Sequence, residues 1–221
     1  MTPAYVIGYD PGGNGAHGVA ALQVREDDQG WKPQDLQTET AHTLADAVAW
    51  LDATCRDGRI VAAGVDTLTE WNSGPSGWRL ADLWLRDAYP AVRNSVVTPN
   101  SIFGSMAVNG AAFLALLAPR FQCDAAMVTE AHPKVLYYAL TGTRAIWKDS
   151  ASDMVEWMGS QLGATSMIGL ADVSDHRFDA AMAVLAALRG LNREWTLDLH
   201  AIPGSEHRVL FCGETHYWWP G

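Results

Sequence analysis

The sequence has few of the features that mark secreted proteins, cysteine-based metal sites or membrane proteins. It has three cysteines, Cys55, Cys123 and Cys212, which are too few and too far apart for a disulfide framework or a CxxC metal pair. No apolar run approaches the roughly 18 residues of a membrane span, since even Ala107–Ala118 is interrupted by Asn109. The first residues carry neither the basic nor the apolar segment of a secretory signal. We therefore expect a reduced, soluble, cytoplasmic protein with no membrane partner.

The sequence also contains few positively charged residues. The chain has 15 Lys and Arg against 25 Asp and Glu, which gives a formal net charge of −10. A passive nucleic-acid binder gains its affinity largely from Lys and Arg on phosphates, so this balance excludes a broad, high-affinity binder. The acidity is uneven, because residues 1–60 and 151–221 each have a net charge of −5, whereas residues 61–150 are neutral.

The overall composition is that of a folded globular protein. Of the 221 residues, 48% are hydrophobic and 18% are charged, which excludes wholesale disorder and a coiled coil. The length suits one large domain or two small ones. We predict a single domain over residues 1–221, with residues 191–221 as a C-terminal extension.

The hydrophobic pattern predicts an α/β domain with a mixed sheet. Strands are predicted at Ala4–Gly8, Gly18–Val24, Lys32–Ala41, Arg59–Asp66 and Ala125–Glu130. Helices are predicted after Thr43, at Arg79–Ala88, at Ser105–Ala118, and over residues 133–141, 149–162 and 175–189, the last one ending before Gly190. Residues 67–78 are expected to form a loop.

Acidic residues stand where three of the predicted strands end. Asp10 follows the first strand, Asp66 ends the fourth and Glu130 ends the fifth. The carboxyl ends of parallel strands share one edge of a sheet, and neighbouring strands lie about 4.8 Å apart. Such crowded carboxylates favour a hard divalent cation, Mg²⁺ or Mn²⁺. Taken singly, Asp10 is also suited to a turn and Glu130 to capping the helix at Pro133.

The last predicted helix adds a further carboxylate. Asp175, His176 and Asp179 follow the i, i+1, i+4 spacing, so Asp175 and Asp179 share one face. Asp175 suits the positive end of the helix dipole. Asp179 lies among alanines that would let the helix approach the sheet closely, and a metal ion would offset the cost of burying its charge.

The central third holds candidates for contact with a substrate. Arg79 and Lys134 are cations that could hold phosphates, and Trp71 and Trp78 in the predicted loop could stack on unpaired bases. The alternatives are solvated surface charges and ordinary core filling. Near the end of the chain, a Trp218-Trp219 pair is expected to cover a hydrophobic edge or to form a homodimer contact.

Several short motifs resemble the ribonuclease-H-like superfamily. They are Gly8-Tyr9-Asp10, Val65-Asp66, Arg79-Leu80-Ala81-Asp82, Glu130-Ala131-His132-Pro133 and Asp179-Ala180. The closest likeness is to an uncharacterised family described as predicted RNase-H-like nucleases. The segment His176–Leu185 is similar to the last catalytic helix of RuvC-type resolvases. One departure is Thr67, since that family often has a proline shortly after the acid of the fourth strand.

The resemblance implies a fold and a reaction. The fold would be a five-stranded mixed sheet in the order 3-2-1-4-5, with strands 1, 4 and 5 parallel and strand 2 antiparallel. The reaction would be two-metal hydrolysis of phosphodiester bonds in DNA or RNA, with two Mg²⁺ or Mn²⁺ ions. The implied metal ligands and catalytic residues are Asp10, Asp66, Glu130 and Asp179, and the accessory candidates are His132, His176, Asp175 and Glu70.

Two other functions stay open at this point. The segment Asp10–Gly15 also resembles the first phosphate loop of actin-like kinases, which favours binding or hydrolysis of a nucleotide phosphate. These kinases need a second, similar domain, and the sequence contains no second copy. The remaining alternative is an RNase-H-like interaction module without catalytic activity.

Overall fold

The structure is a computed structural model that describes residues 2–12, 15–97, 104–120, 127–171, 175–204, 208–210 and 213–221. The strands are β1 (Ala4–Asp10), β2 (His17–Asp27), β3 (Gly30–Ala41), β4 (Arg59–Val65), β5 (Glu70–Asn72), β6 (Met127–Glu130), β7 (Ser166–Ile168), β8 (Leu197–Asp198), β9 (Arg208–Leu210) and β10 (Trp218–Trp219). The α-helices are α1 (Leu44–Thr54), α2 (Leu80–Ala88), α3 (Gly104–Leu117), α4 (Pro133–Thr141), α5 (Trp147–Leu162) and α6 (Asp175–Leu191). Cysteines 123 and 212 lie outside the described residues, and Cys55 is buried as a free thiol.

A mixed six-stranded sheet, flanked by helices, forms the centre of the fold. Its order is β6-β4-β1-β2-β3-β7. Strand β1 runs parallel to β4 and antiparallel to β2, and β4 runs parallel to β6. The predicted α/β class is confirmed, but the predicted number of five strands is wrong, because β7 joins the sheet beside β3. Strand β7 has only three residues, too few to give a periodic signal.

Helix α6 lies unusually close to the sheet. A Cβ atom on Gly8 would collide with the carbonyl oxygen of Ala180, and one on Gly64 would collide with that of Ala183. Strands β1 and β4 therefore have glycine where α6 has alanine, so the helix backbone lies in direct contact with the backbones of both strands. This packing fixes the height of α6 above the sheet and with it the position of Asp179. The expected close approach of the alanine-rich helix is confirmed.

The core has one layer on each face of the sheet. On the face of α6, the buried cluster includes Phe178, Leu136 and Met158. On the opposite face, helices α1 and α3 contribute Leu51 and Phe113. Among the described residues, no helix is both long and apolar enough to cross a membrane.

Several boundaries differ from the predictions. Helix α1 starts as expected, because the Thr43 hydroxyl accepts the Asp46 N–H at 3.1 Å. Helix α6 continues through Gly190 to Leu191, so the predicted end before Gly190 is wrong. Gly190 is needed there because a Cβ would collide with the Trp218 ring. The predicted loop over residues 67–78 contains strand β5, which pairs with β9.

The C-terminal segment is part of the sheet region. The N–H of His216 donates to the carbonyl of Val128 at 2.9 Å, and the N–H of Glu130 donates to the carbonyl of His216 at 2.8 Å. Trp219 is fully buried, and its indole N–H donates to the Tyr89 hydroxyl at 2.9 Å. The segment therefore covers β6 and a hydrophobic edge of its own domain, one of the two roles expected for the tryptophan pair.

Candidate active site

Three carboxylates, Asp10, Asp66 and Asp179, form what we call the carboxylate cluster. Asp10 ends β1, and Asp66 directly follows β4, where its N–H donates to the Tyr9 carbonyl at 2.9 Å. Asp179 lies one turn into α6. Asp10 is 3% exposed and Asp179 is 6% exposed, whereas Asp66 is more open to solvent. The parallel pairing of β1 with β4 and the packing of α6 thus bring three predicted site residues together.

The cluster carries more negative charge than its surroundings compensate. Burial and then the neighbouring charges of Asp10 and Asp179 raise the pKa of Asp66 well above its ordinary value. Burial and then the charge of Asp10 raise the pKa of Asp179 in the same way. Each carboxylate therefore favours a state in which a proton or a cation reduces the local charge.

His176 and Lys134 lie at this cluster and offset part of its charge. The Nδ1 atom of His176 lies 2.5 Å from Oδ2 of Asp10, and this hydrogen bond raises the pKa of the imidazole. For Lys134, burial lowers the pKa, but the charges of Asp179, Asp175 and Asp66 outweigh it and raise the pKa overall. The structure therefore brings the predicted residues His176, Asp175 and Lys134 to the cluster.

Glu130 is placed differently from the other predicted metal ligands. The Arg79 guanidinium donates to both of its oxygens, from Nη2 to Oε1 at 2.5 Å and from Nη1 to Oε2 at 2.8 Å. The N–H of Thr69 also donates to Oε2 at 2.9 Å. Burial would raise the pKa of Glu130, but the Arg79 charge outweighs it and lowers the pKa. Both oxygens of Glu130 are thus engaged by protein donors, whereas its charge still acts on Asp66, so a role of Glu130 as a fourth metal ligand stays a prediction.

Arg79 is likewise engaged inside the protein. It is 4% exposed, and besides Glu130 it pairs with Asp82, from Nε to Oδ2 at 2.9 Å and from Nη2 to Oδ1 at 2.7 Å. The predicted contact with substrate phosphate is not the role that this geometry gives it. A guanidinium buried between two carboxylates holds α2 against the end of β6.

His200 belongs to the same buried ion-pair network, and the sequence did not predict its contact with Glu130. Its Nε2 atom lies 3.5 Å from Oε2 of Glu130, and its Nδ1 atom lies 3.3 Å from Oε1 of Glu70. Glu70 is buried and also pairs with Arg208, so this predicted accessory residue belongs to the network and not to the carboxylate cluster. No local motif around His200 indicates this contact, because its partners are distant in the sequence.

The predicted aromatic residues lie in the segment after β4. Trp71 is part of β5 and is half-buried. Trp78 is also half-buried, and the Arg86 guanidinium lies 4.9 Å from the centre of its ring. Contact of these two rings with nucleic acid stays a prediction.

A cavity of about 390 Å³ adjoins the carboxylate cluster. Its lining includes Asp66, Lys134 and His132, the ion-paired Arg79, Asp82 and Glu130, and the apolar Leu68, Val96 and Met106. The Nε2 atom of His132 lies 3.0 Å from the Ser95 carbonyl oxygen. Its Nδ1 atom is buried and has no hydrogen-bond partner among the described residues. The cavity thus adjoins the cluster through Asp66 and Lys134.

The donor set suits a hard divalent cation in its chemistry. Asp10, Asp66 and Asp179 supply carboxylate oxygens whose charge is only partly compensated by His176 and Lys134, and such an oxygen-rich site suits Mg²⁺ or Mn²⁺. Within the described ranges, no three His, Cys, Asp or Glu side chains already have the arrangement of a metal site. The three cluster residues therefore fit such an ion by chemistry.

Comparison with known proteins yields no relative: no family model, no curated protein and no solved structure matches the chain.

Proposed function

We propose that this protein is a metal-dependent nuclease that hydrolyses phosphodiester bonds of DNA or RNA. The observation that carries the proposal is the convergence of Asp10, Asp66 and Asp179 from β1, the end of β4 and α6, with the pKa values of all three raised by burial. Perturbed carboxylates next to a cavity are typical of catalytic sites. The mixed central sheet, in which β1 lies between antiparallel β2 and parallel β4, supports the same proposal.

The proposed cofactor is a pair of Mg²⁺ or Mn²⁺ ions. Asp10, Asp66 and Asp179 would hold them through their carboxylate oxygens. When bound, such ions activate a water and stabilise the leaving oxygen of a phosphodiester. The protein's own part is to keep three carboxylates close together in spite of their repulsion, through the β1–β4 pairing and the close packing of α6.

The chain also supplies groups that would orient a substrate. Lys134 is exposed beside the cluster and belongs to the neutral central third of the sequence, so it would attract a phosphate. His176 holds the Asp10 carboxylate in place through its hydrogen bond. The net charge of −10 is then no obstacle, because phosphate would meet cations at the site and not a broad basic surface.

The test compares wild type with Asp10→Asn on single-stranded, duplex and branched DNA and on RNA, with Mg²⁺ or Mn²⁺. The matched control is Asp28→Asn, the same change on an exposed carboxylate. We expect Asp10→Asn to reduce cleavage by about 100-fold or more, equivalent to about 2.7 kcal/mol of transition-state stabilisation. The control should keep the wild-type rate.

Each failure points to a different conclusion. Equal cleavage by wild type and Asp10→Asn would mean that a contaminant is responsible and would overturn the proposal. Hydrolysis of ATP without any cleavage of nucleic acid would replace the nuclease with the actin-like alternative. Absence of both activities, with no Mn²⁺ binding by calorimetry, would replace it with a non-catalytic module.

A further inference from the structure

Lys134 lies where a helix does not favour a positive charge. It belongs to the first turn of α4, directly after Pro133, and that turn contains no acidic residue to balance it. Its side chain lines the same cavity as Asp66. The chain just before it is joined to the end of β4, because the N–H of Ala131 donates to the carbonyl of Val65 at 2.8 Å. The backbone therefore brings this ammonium to the edge of the sheet where the carboxylate cluster lies.

The ammonium of Lys134 compensates all three carboxylates of the cluster. Burial is the largest influence on the pKa values of Asp10, Asp66 and Asp179 and raises them, whereas the charge of Lys134 lowers all three. Within the described ranges, Lys134 takes part in no ion pair with an N–O distance below 4 Å. The ammonium thus acts on the cluster across a gap and occupies none of its carboxylate oxygens.

The formal charges indicate how this cation affects metal binding. Once a metal displaces their protons, the three carboxylates contribute three negative charges, and Lys134 offsets one of them. Of the charged neighbours, Glu130 is paired with Arg79, and Asp175 is followed by His176, whose imidazole is hydrogen-bonded to the cluster. One divalent ion balances the two charges that remain. A second ion would leave an excess of positive charge in a largely buried site, which is unfavourable.

We propose that Lys134 stands in for the second divalent ion until substrate binds, an inference that rests on the proposed nuclease function. The protein without nucleic acid then holds one ion. When a strand binds, its phosphate pairs with the Lys134 ammonium, and the cluster regains the negative charge that attracts the second ion. The complete pair of ions therefore assembles only on a bound phosphodiester, and Lys134 makes occupancy of the site depend on substrate.

The experiment is a calorimetric titration of the metal-free protein with Mn²⁺ alone, at pH 7 and without nucleic acid. Lys134→Met removes the charge and keeps a long side chain, and Lys134→Arg keeps the charge. The matched control is Lys148→Met, the same change at an exposed lysine in the first turn of α5 that does not line the cavity. Circular dichroism verifies that each variant is folded.

We expect one Mn²⁺ per chain for wild type, for Lys134→Arg and for Lys148→Met. Lys134→Met should bind two ions per chain, the first about tenfold more tightly than wild type does, because no nearby positive charge opposes it. A second titration adds a saturating amount of the nucleic acid that wild type cleaves, with the nucleic acid alone as the blank. Wild type should then bind two ions.

The outcomes separate this inference from the proposed function. Two ions on wild type without nucleic acid, or equal stoichiometry and affinity in Lys134→Met and Lys148→Met, would overturn the role of Lys134 even if Asp10-dependent cleavage is found. Absence of Mn²⁺ binding by wild type, or a single ion in the presence of the cleaved nucleic acid, would overturn it too. One ion on wild type and two on Lys134→Met, without cleavage of any nucleic acid, would support Lys134 as the counter-cation and overturn the nuclease.

Discussion

The Nδ1 atom of His176 lies 2.5 Å from Oδ2 of Asp10, and this contact joins the first turn of α6 to the end of β1. His176 and Asp179 are three residues apart, so they share a face of the helix. The helix therefore delivers a second carboxylate and a partly exposed imidazole to the same place. The imidazole compensates Asp10, whereas Lys134 reduces the repulsion at both Asp66 and Asp179, and His176 does so at Asp179.

The first prediction concerns how much the repulsion within the carboxylate cluster lowers the stability of the folded protein. The pKa of Asp66 is raised above its ordinary value of 3.8, so between these two pKa values the folded state holds more protons than the unfolded state. The metal-free protein therefore loses stability as the pH rises through that window. Asp66→Asn removes this charge and should raise the melting temperature at pH 7 in a chelator by several degrees, since 1 kcal/mol corresponds to roughly 2–4 °C in a domain of this size.

The pH dependence of the melting temperature distinguishes relief of carboxylate repulsion at Asp66 from a general stabilising effect of an Asp→Asn substitution. The gain from Asp66→Asn should shrink toward pH 4, where wild-type Asp66 is protonated in the folded protein. Asp28→Asn, on an exposed carboxylate, should change the melting temperature little at either pH. A destabilised Asp66→Asn protein at pH 7 would contradict the repulsion argument.

The second prediction concerns metal addition. A ligand that binds only the folded state at 100 times its dissociation constant stabilises it by about 2.7 kcal/mol. Mn²⁺ should therefore raise the melting temperature of wild type and should have little effect on Asp66→Asn or Asp179→Asn. Thermal scans with and without Mn²⁺ measure this, and an equal shift in all three proteins would place the ion elsewhere.

The third prediction concerns the buried ion pairs of Arg79. Arg79→Met leaves the carboxylates of Glu130 and Asp82 buried without their partner, which should cost about 3–5 kcal/mol in the free energy of unfolding. Arg120→Met is the matched control, because it breaks the more exposed pair with Asp52 and should cost less than about 1 kcal/mol. Urea unfolding measures both, and similar losses would show that burial does not decide the difference.

The fourth prediction concerns the close backbone contact between α6 and strand β4 of the sheet. Gly64→Ala forces a Cβ against the carbonyl oxygen of Ala183, a backbone atom that cannot move alone. We expect a loss of at least about 1–3 kcal/mol and a reduced cleavage rate, since Asp179 moves with the helix. Gly104→Ala is the control, because a Cβ there meets no atom within 4 Å. Unchanged stability of Gly64→Ala would contradict the direct backbone contact.

Part of the site is predictable because it depends on strand ends. Apolar runs locate β1 and β4, and their parallel pairing carries Asp10 and Asp66 to one edge of the sheet. The alanine spacing of α6 then indicates which face meets the sheet, and so places Asp179. These inferences need only local patterns and the geometry of parallel strands.

The remaining part depends on contacts that no local pattern contains. Glu130 ends its strand as predicted, yet its partner is Arg79, and their pairing depends on how the segment after β4 folds back. His200 reaches Glu130 from the C-terminal segment, whose strands β8 and β10 have two residues each. Elements this short show no hydrophobic periodicity, so the sequence does not predict them. The ion pair of Glu130 with Arg79 and its contact with His200 therefore could not be predicted from the sequence.

The pairing of His216 with β6 imposes an order on the maturation of the protein. Ribosomes deliver a chain from its N-terminal end, so β6 emerges long before the segment that supplies its second backbone partner. The buried network around Glu130 also includes His200 and Thr215, which lie in the same C-terminal segment. A chain truncated after α6 would lack the residues that complete the wall beside the carboxylate cluster. The complete network around Glu130 therefore requires the chain through residue 216.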